Sequence, residues 1–380
     1  MEAKNIRKEV YKEQREHLKE YVDKKWDNFE LKNYHFLSAN LSKCLPEIPQ
    51  ENHKSIYHNI LSYRALQGID THFYSNFGGV KGADIVSKKI KEGNLPGIFV
   101  SFHLGSFRSA LAFLVQANLD VVLIVDPLPY KLQKDEIINQ YTKIKSYFKS
   151  TSDLIIFPAD RKDLAIQILL KTKKNYSVLA FVDGNTGMNG DFNQKSSVKI
   201  DFLGQKVFFR KGLAMLSYYT KCPLIPMVSY YDEEDKPHWE IKDYIYPDSG
   251  MEAHEYGDKA TKEIFKILEN ALKIYPDQWE GWMYLHKFLL MEKKEESKPV
   301  TYQHDIDALE VNPNIGLFAY EERYYIINKD TYVIIEVGNE IFMKLDQSTY
   351  FDPSNESEEN ITFLLNKNII TVNSKTHATV

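Results

Sequence analysis

Between residues 97 and 230, short apolar runs alternate with longer amphipathic stretches, and no other feature constrains the fold as tightly. Residues 97–102, 121–125, 154–157, 177–182 and 223–230 read as strands. Residues 106–117, 135–147, 161–171 and 212–220 have helical periodicity between them, and 83–91 reads as a further helix before the first strand. Strands separated by helices predict an α/β fold with a mostly parallel sheet covered by helices on both faces. At 380 residues, 43% of them hydrophobic, the chain is long enough for one large core and a smaller second domain.

The flanks differ from this centre. Residues 1 to about 30 are dense in Lys, Arg and Glu, which predicts an exposed helix laced with pairs such as Glu20 and Lys24. Residues 50–78 place Ile56, Ile60, Leu61, Tyr63 and Leu66 near helical spacing. A helix over 260–274 leads to Pro276-Asp-Gln-Trp-Glu-Gly-Trp282, and a charged stretch at 292–299 marks a boundary. Beyond it, strands at 316–320, 324–327 and 332–337 precede helices at 340–345 and 356–365. That order predicts a small α+β, winged-helix-like module. The expected organisation is a helical extension over 1–50, an α/β domain over 51–295 and an accessory domain over 300–380.

Charge and motifs narrow the function. A net charge of −5 with no basic stripe argues against a nucleic-acid partner. Cys44 and Cys222 lie far apart without metal-ligand company, which predicts a reducing compartment and no disulfide framework. The first residues form no apolar signal core, and no apolar run approaches the ~20 residues that span a bilayer. These features predict a cytoplasmic protein and leave peripheral membrane contact open. The chain has no phosphate-cradling Gly-rich loop ending in Lys-Ser/Thr, no Gly-x-Ser-x-Gly elbow and no His-Glu-x-x-His zinc motif.

The chemistry concentrates at Val100-Ser-Phe-His-Leu-Gly-Ser-Phe-Arg108, where an apolar strand ends in His103 and a glycine follows two residues later. A buried strand of an α/β sheet delivers a titratable group to the mouth of the sheet in this way. There His103 can take a proton from an attacking hydroxyl or amine near neutral pH. A bland reading, in which the histidine only caps the next helix, competes with it.

His103-Leu-Gly-Ser-Phe-Arg108 resembles the His-x-Gly-Asn-Trp-Glu segment of the lauroyl and myristoyl acyltransferases of lipid A biosynthesis, within the lysophospholipid-acyltransferase-like superfamily. Further blocks resemble that family in order: Val80-Lys-Gly-Ala-Asp-Ile85, Asp183-Gly-Asn-Thr-Gly187, Asp201-Phe-Leu-Gly204, Gly212-Leu-Ala-Met-Leu216, Cys222-Pro-Leu-Ile-Pro226, and the Pro276–Trp282 block with His286. The resemblance implies transfer of an acyl group from a thioester, on acyl carrier protein or coenzyme A, to a hydroxyl or amine. It implies His103 as the base, a neighbouring carboxylate that orients the imidazole, and no bound cofactor. Gly105, Ser106, Arg108, Gly187 and Arg210 become candidates for substrate binding.

The pattern breaks at Arg108, which stands where the family keeps an acid. A cation beside His103 would lower the histidine's pKa. Another carboxylate, Asp183 or Asp126, can replace the acid, and Asp183 joins His103 as a candidate catalytic residue. Alternatively His103 works unassisted on an amine while Arg108 grips a substrate carboxylate or phosphate. A third reading is a site that has lost turnover. Asp183 is equally well explained as a turn residue. Arg210 and Lys211 can hold a phosphopantetheine phosphate or an anionic acceptor, or form a solvated pair. Trp279, Trp282 and His286 read mainly as packing residues. The tail resembles the small precursor-peptide-recognition domains of peptide natural-product pathways, which implies a peptide or peptide-derived acceptor rather than a lipid; an accessory packing or dimerisation domain is its alternative. Thioester hydrolysis, or acyl binding without turnover, are the competing functions for the whole chain.

Overall fold

The computed structural model describes residues 2–23, 29–72, 88, 92, 95–184, 196–290, 302, 309–354 and 356–372. The expected helix at 83–91, the Val80 block, Gly187 and the charged stretch at 292–299 fall outside these residues, apart from Lys88. The chain divides into two compact units. The first holds residues 1–20, 55–281 and 287–289; the second holds 21–54, 282–286 and 290–380. These units cut the chain differently from the expected boundaries at 50 and 295–300, because residues 21–54 group with the C-terminal strands.

The first unit is an α/β fold around a six-stranded sheet. Its strands are β1 (Ile98–Ser101), β2 (Val121–Val125), β3 (Leu154–Pro158), β4 (Ser177–Phe181), β7 (Leu224–Tyr231) and β8 (Pro237–Ile241), in the order β3-β2-β4-β1-β7-β8. All neighbours are parallel except β8, an antiparallel edge strand. The crossovers carry α4 (Ala110–Gln116), α5 (Pro127–Phe148), α6 (Leu164–Thr172) and, before β7, α7 (Gly212–Thr220). All four β1 residues are buried, as an unbroken apolar run flanked by β4 and β7 requires. One face packs Phe99, Phe113, Leu179, Met227 and Trp239 into a single cluster. On α8 (Ala253–Leu272), the apolar stripe from Tyr256 to Leu272 is buried, and Phe265 stacks on Phe209 at 3.4 Å.

One expectation for this unit needs correcting, and one element is new. The helix α1 (Glu2–Asp23) is not solvated all round: Arg7 and Tyr11 are buried. Arg7 Nε and Nη2 donate to the two oxygens of Asp70 at 2.5 and 3.1 Å, and the Tyr231 hydroxyl donates to Asp70 at 2.9 Å. A lone buried arginine in a charge-rich helix leaves no trace in periodicity. The new element is the hairpin β5 (Ser197–Phe202) and β6 (Gln205–Arg210). Its two-residue turn puts Leu203 at φ 48° and Gly204 at φ 75°, the left-handed pair that matches strand twist.

The second unit has α2 (Phe29–Cys44), a sheet of β10 (Ile315–Tyr320), β11 (Arg323–Asn328) and β12 (Ile334–Val337), and a smaller sheet in which β9 (Leu309–Val311) lies between β13 (Tyr350–Phe351) and β14 (Ile370–Val372). The helices α9 (Asn339–Gln347) and α10 (Glu358–Asn366) complete it, with the Ser357 hydroxyl capping α10 at the amide of Asn360. The expected strands and helices of the tail are present as an α+β module, but β13 and β14 return after the helices begin. The imidazole Nε2 of His35 on α2 lies 3.0 Å from the carbonyl of Leu317 on β10. A Cβ at Gly316 would sit 2.3 Å from that ring, so a glycine there lets the helix come close.

Candidate active site

The site forms where β1 and β4 end. The two strands are parallel neighbours with Ser101 opposite Phe181. His103 and Asp183 each stand two residues beyond that pair, so the register itself brings them together at the carboxyl edge of the sheet. The imidazole Nδ1 of His103 lies 2.8 Å from Asp183 Oδ1. The amide of His103 also donates to both carboxylate oxygens, at 3.1 and 2.9 Å. An ionised carboxylate can only accept, so Nδ1 carries the proton and Nε2 keeps its lone pair. Among the described residues Nε2 has no protein partner, and the side chain is 26% exposed while that of Asp183 is 1% exposed. Phe107 and Phe181 flank the ring at centroid distances of 4.8 and 5.1 Å.

Electrostatics follow from this placement. Burial penalises the imidazolium, but the charge and hydrogen bond of Asp183 outweigh that, with Glu280 and Asp126 adding to them, and the pKa of His103 is raised. The lowering expected from Arg108 does not occur. Arg108 is exposed, and its guanidinium lies 5.9 Å from the centroid of the Phe107 ring. Asp126, at the end of β2, approaches Gly184, where a Cβ would meet its Oδ2 at 3.1 Å.

The turn after His103 is held by hydrogen bonds. The carbonyl of His103 accepts from the Glu280 amide at 3.1 Å, and that of Leu104 from the Ser229 hydroxyl at 2.6 Å. Gly105 donates to the carbonyl of Gln278 at 3.0 Å and accepts from Gln67 Nε2 at 2.6 Å. Its φ is +53°, and a Cβ would lie 2.4 Å from the Cα of Tyr230. Gly105 therefore serves the turn, with both backbone polar groups satisfied within the protein. Ser106 is 1% exposed, and its hydroxyl has no hydrogen-bond partner among the described residues.

The other candidates disperse. Arg210 pairs with Ser197 at the end of the β5–β6 hairpin and is exposed. Its neighbour Lys211 is buried and bonds Asp258 at 2.6 Å, so the two are not a solvated pair. Trp282 and His286 belong to the second unit. There Asn40 donates to the carbonyl of Trp282 at 2.7 Å, and His286 stacks on Phe36 at 3.8 Å. Trp279 does more than pack: its indole Nε1 donates to Asp183 Oδ2 at 2.7 Å. Glu280 also escaped sequence reasoning, although its place beside Trp279 was a usable signal. Its Oε2 takes Arg64 Nη2 at 3.0 Å, and its buried Oε1 has no partner among the described residues.

Residues 159–290 match the model of the bacterial lipid A biosynthesis acyltransferase family. The match supports an acyltransferase in general. It begins after β3, so it contains Asp183, the hairpin and the Pro276–Trp282 block, while His103 lies outside it. Acyltransferase resemblance and site geometry thus meet at Asp183, which the match covers and His103 touches. No curated protein matches the chain. No described helix is long and apolar enough to cross a membrane.

Proposed function

We propose that this chain moves a fatty acyl group from a thioester, on acyl carrier protein or coenzyme A, to an amine or hydroxyl acceptor, with His103 as general base. The observation that carries the reading is the 2.8 Å contact of His103 with Asp183, which occupies Nδ1 and leaves Nε2 without a protein partner among the described residues, at the carboxyl edge of a parallel sheet. In this reaction Nε2 removes the acceptor's proton as its oxygen or nitrogen attacks the thioester carbonyl. Asp183 stabilises the imidazolium that forms. The tetrahedral adduct collapses, the carbon–sulfur bond breaks, and the imidazolium returns its proton to the departing thiolate. Asp183 here takes the place of the acid missing at 108, and Arg108 is free to bind an anionic group of a substrate.

The acceptor we favour is a peptide or a peptide-derived product. In the second unit β12 lies at the edge of its sheet, with no further strand beside it among the described residues, as strand addition by a peptide requires. Such a reaction belongs in the cytoplasm, with peripheral contact at the inner membrane face if the acceptor is instead a lipid.

Intact mass spectrometry of candidate acceptors incubated with acyl-coenzyme A or acyl carrier protein tests this reading. Wild type should add one acyl mass, and His103→Ala should not. Full transfer by His103→Ala would overturn the role of the base. Release of free fatty acid with no acylated acceptor would identify a hydrolase, and bound thioester with no product in either protein a binding protein.

A further inference from the structure

We infer that Trp279 is a positioning residue: its indole N–H fixes the Asp183 carboxylate and thereby holds His103 in one tautomer and one orientation. This rests on the reading of His103 as the base. The carboxylate of Asp183 is gripped from three directions. Nδ1 of His103 reaches Oδ1 at 2.8 Å, the His103 amide reaches both oxygens, and the indole reaches Oδ2 at 2.7 Å. Without the indole, the carboxylate could turn about its own axis and change which oxygen faces the imidazole.

The indole is itself held firmly. Trp279 is 1% exposed, and Phe202 meets it edge-on at 6.2 Å. A Cβ at Gly281 would lie 2.1 Å from indole Cζ2, so the ring folds back over a backbone that only glycine leaves open. The segment that carries it is pinned on both sides. Leu104 and Trp279 form an antiparallel bridge, the Glu280 amide bonds the His103 carbonyl, and Asn59 and Arg64 of α3 (His53–Asp70) bond Asp277 and Glu280 at 2.9 and 3.0 Å. One short segment therefore sets the place of both members of the pair: His103 through its backbone, Asp183 through the indole.

A hydrogen bond to the ionised carboxylate also makes it less basic, which keeps the shared proton on the imidazole. The test titrates His103 by nuclear magnetic resonance in the full-length chain labelled with nitrogen-15 histidine, the signal being assigned with His103→Gln. Replacing the Trp279 indole by a benzothiophene (3-benzothienylalanine) keeps the bicyclic shape and removes the N–H. The imidazole of that variant should titrate at least about half a pH unit higher than wild type. The same replacement at Trp282 should leave the titration unmoved. With decanoyl-coenzyme A and hydroxylamine as probes, kcat should fall about tenfold or more while KM for the thioester holds.

A benzothienyl variant that melts like wild type and titrates like wild type would overturn the inference. If the variant does not fold, the unsubstituted tryptophan supplies the readout. Asp183→Asn should shift the Trp279 indole proton resonance, and an unshifted resonance would overturn the inference equally. Failure of the proposed function is a separate result, seen as full transfer by His103→Ala.

Discussion

His103 and Asp183 make the sharpest claims at the scale of single residues. His103→Ala should cut acyl transfer by about a hundredfold to ten-thousandfold, the usual contribution of a positioned general base. Because the pKa of His103 is raised, the acidic limb of kcat/KM should lie above pH 6.5, and activity should climb as pH rises through it. A raised imidazole pKa also means that the pair's contribution to stability is complete below pH 6.5 and is lost as pH rises through the folded-state value. Asp183→Asn should bring the limb down toward the ordinary histidine range, as a pH-rate profile will show. Arg108→Ala should leave the limb in place, since the guanidinium is exposed and the imidazole answers to Asp183, Glu280 and Asp126. The sequence pointed to His103 from its place at a strand end. It left Asp183 and Asp126 as rivals, because which carboxylate reaches the imidazole depends on strand order and register. Trp279 and Glu280 stand together in the Pro276–Trp282 block, but their contacts with Asp183 and His103 are not written in it, because they lie more than 170 residues along the chain from His103.

The elements were legible where an apolar run has one interpretation. The five central strands appear close to their expected positions, because parallel strands inside a covered sheet leave unbroken apolar runs, whereas α5 begins at Pro127, eight residues before the expected start at 135. The β5–β6 hairpin was not legible. Its turn places a leucine in the left-handed region, where Asn or Asp is the usual signal, and only Gly204 hinted at it. The turn at Gly105 shows how an element constrains one residue. Gly105→Ala combines a strained φ with a clash against the Tyr230 backbone, and should destabilise the chain by about 3 kcal/mol in urea unfolding. Arg7→Ala strands the buried carboxylate of Asp70 and should cost about 3–5 kcal/mol, with the loss of α1 protection visible in hydrogen exchange.

For the whole molecule, the two units should respond differently to acid. His35 in the second unit is 7% exposed, and burial lowers its pKa to about 4, with the Leu317 carbonyl opposing the shift and Lys329 adding to it. A histidine depressed in this way contributes stability that is present above pH 6.5 and is lost as pH falls toward 4. The shift corresponds to about 3 kcal/mol. Spectroscopic unfolding of the full chain between pH 7 and 4 should show the second unit melting first, and His35→Gln should blunt that sensitivity. By itself the amino-acid sequence determined the α/β class, the parallel centre, the α+β tail and the histidine at the strand end, because each of these is written in local periodicity. Tertiary structure alone decided the partner of that histidine, the grip of Trp279 on the partner, and the grouping of residues 21–54 with the C-terminal strands. Those depend on strand order, on register and on which distant side chains share one buried volume, none of which a local pattern encodes.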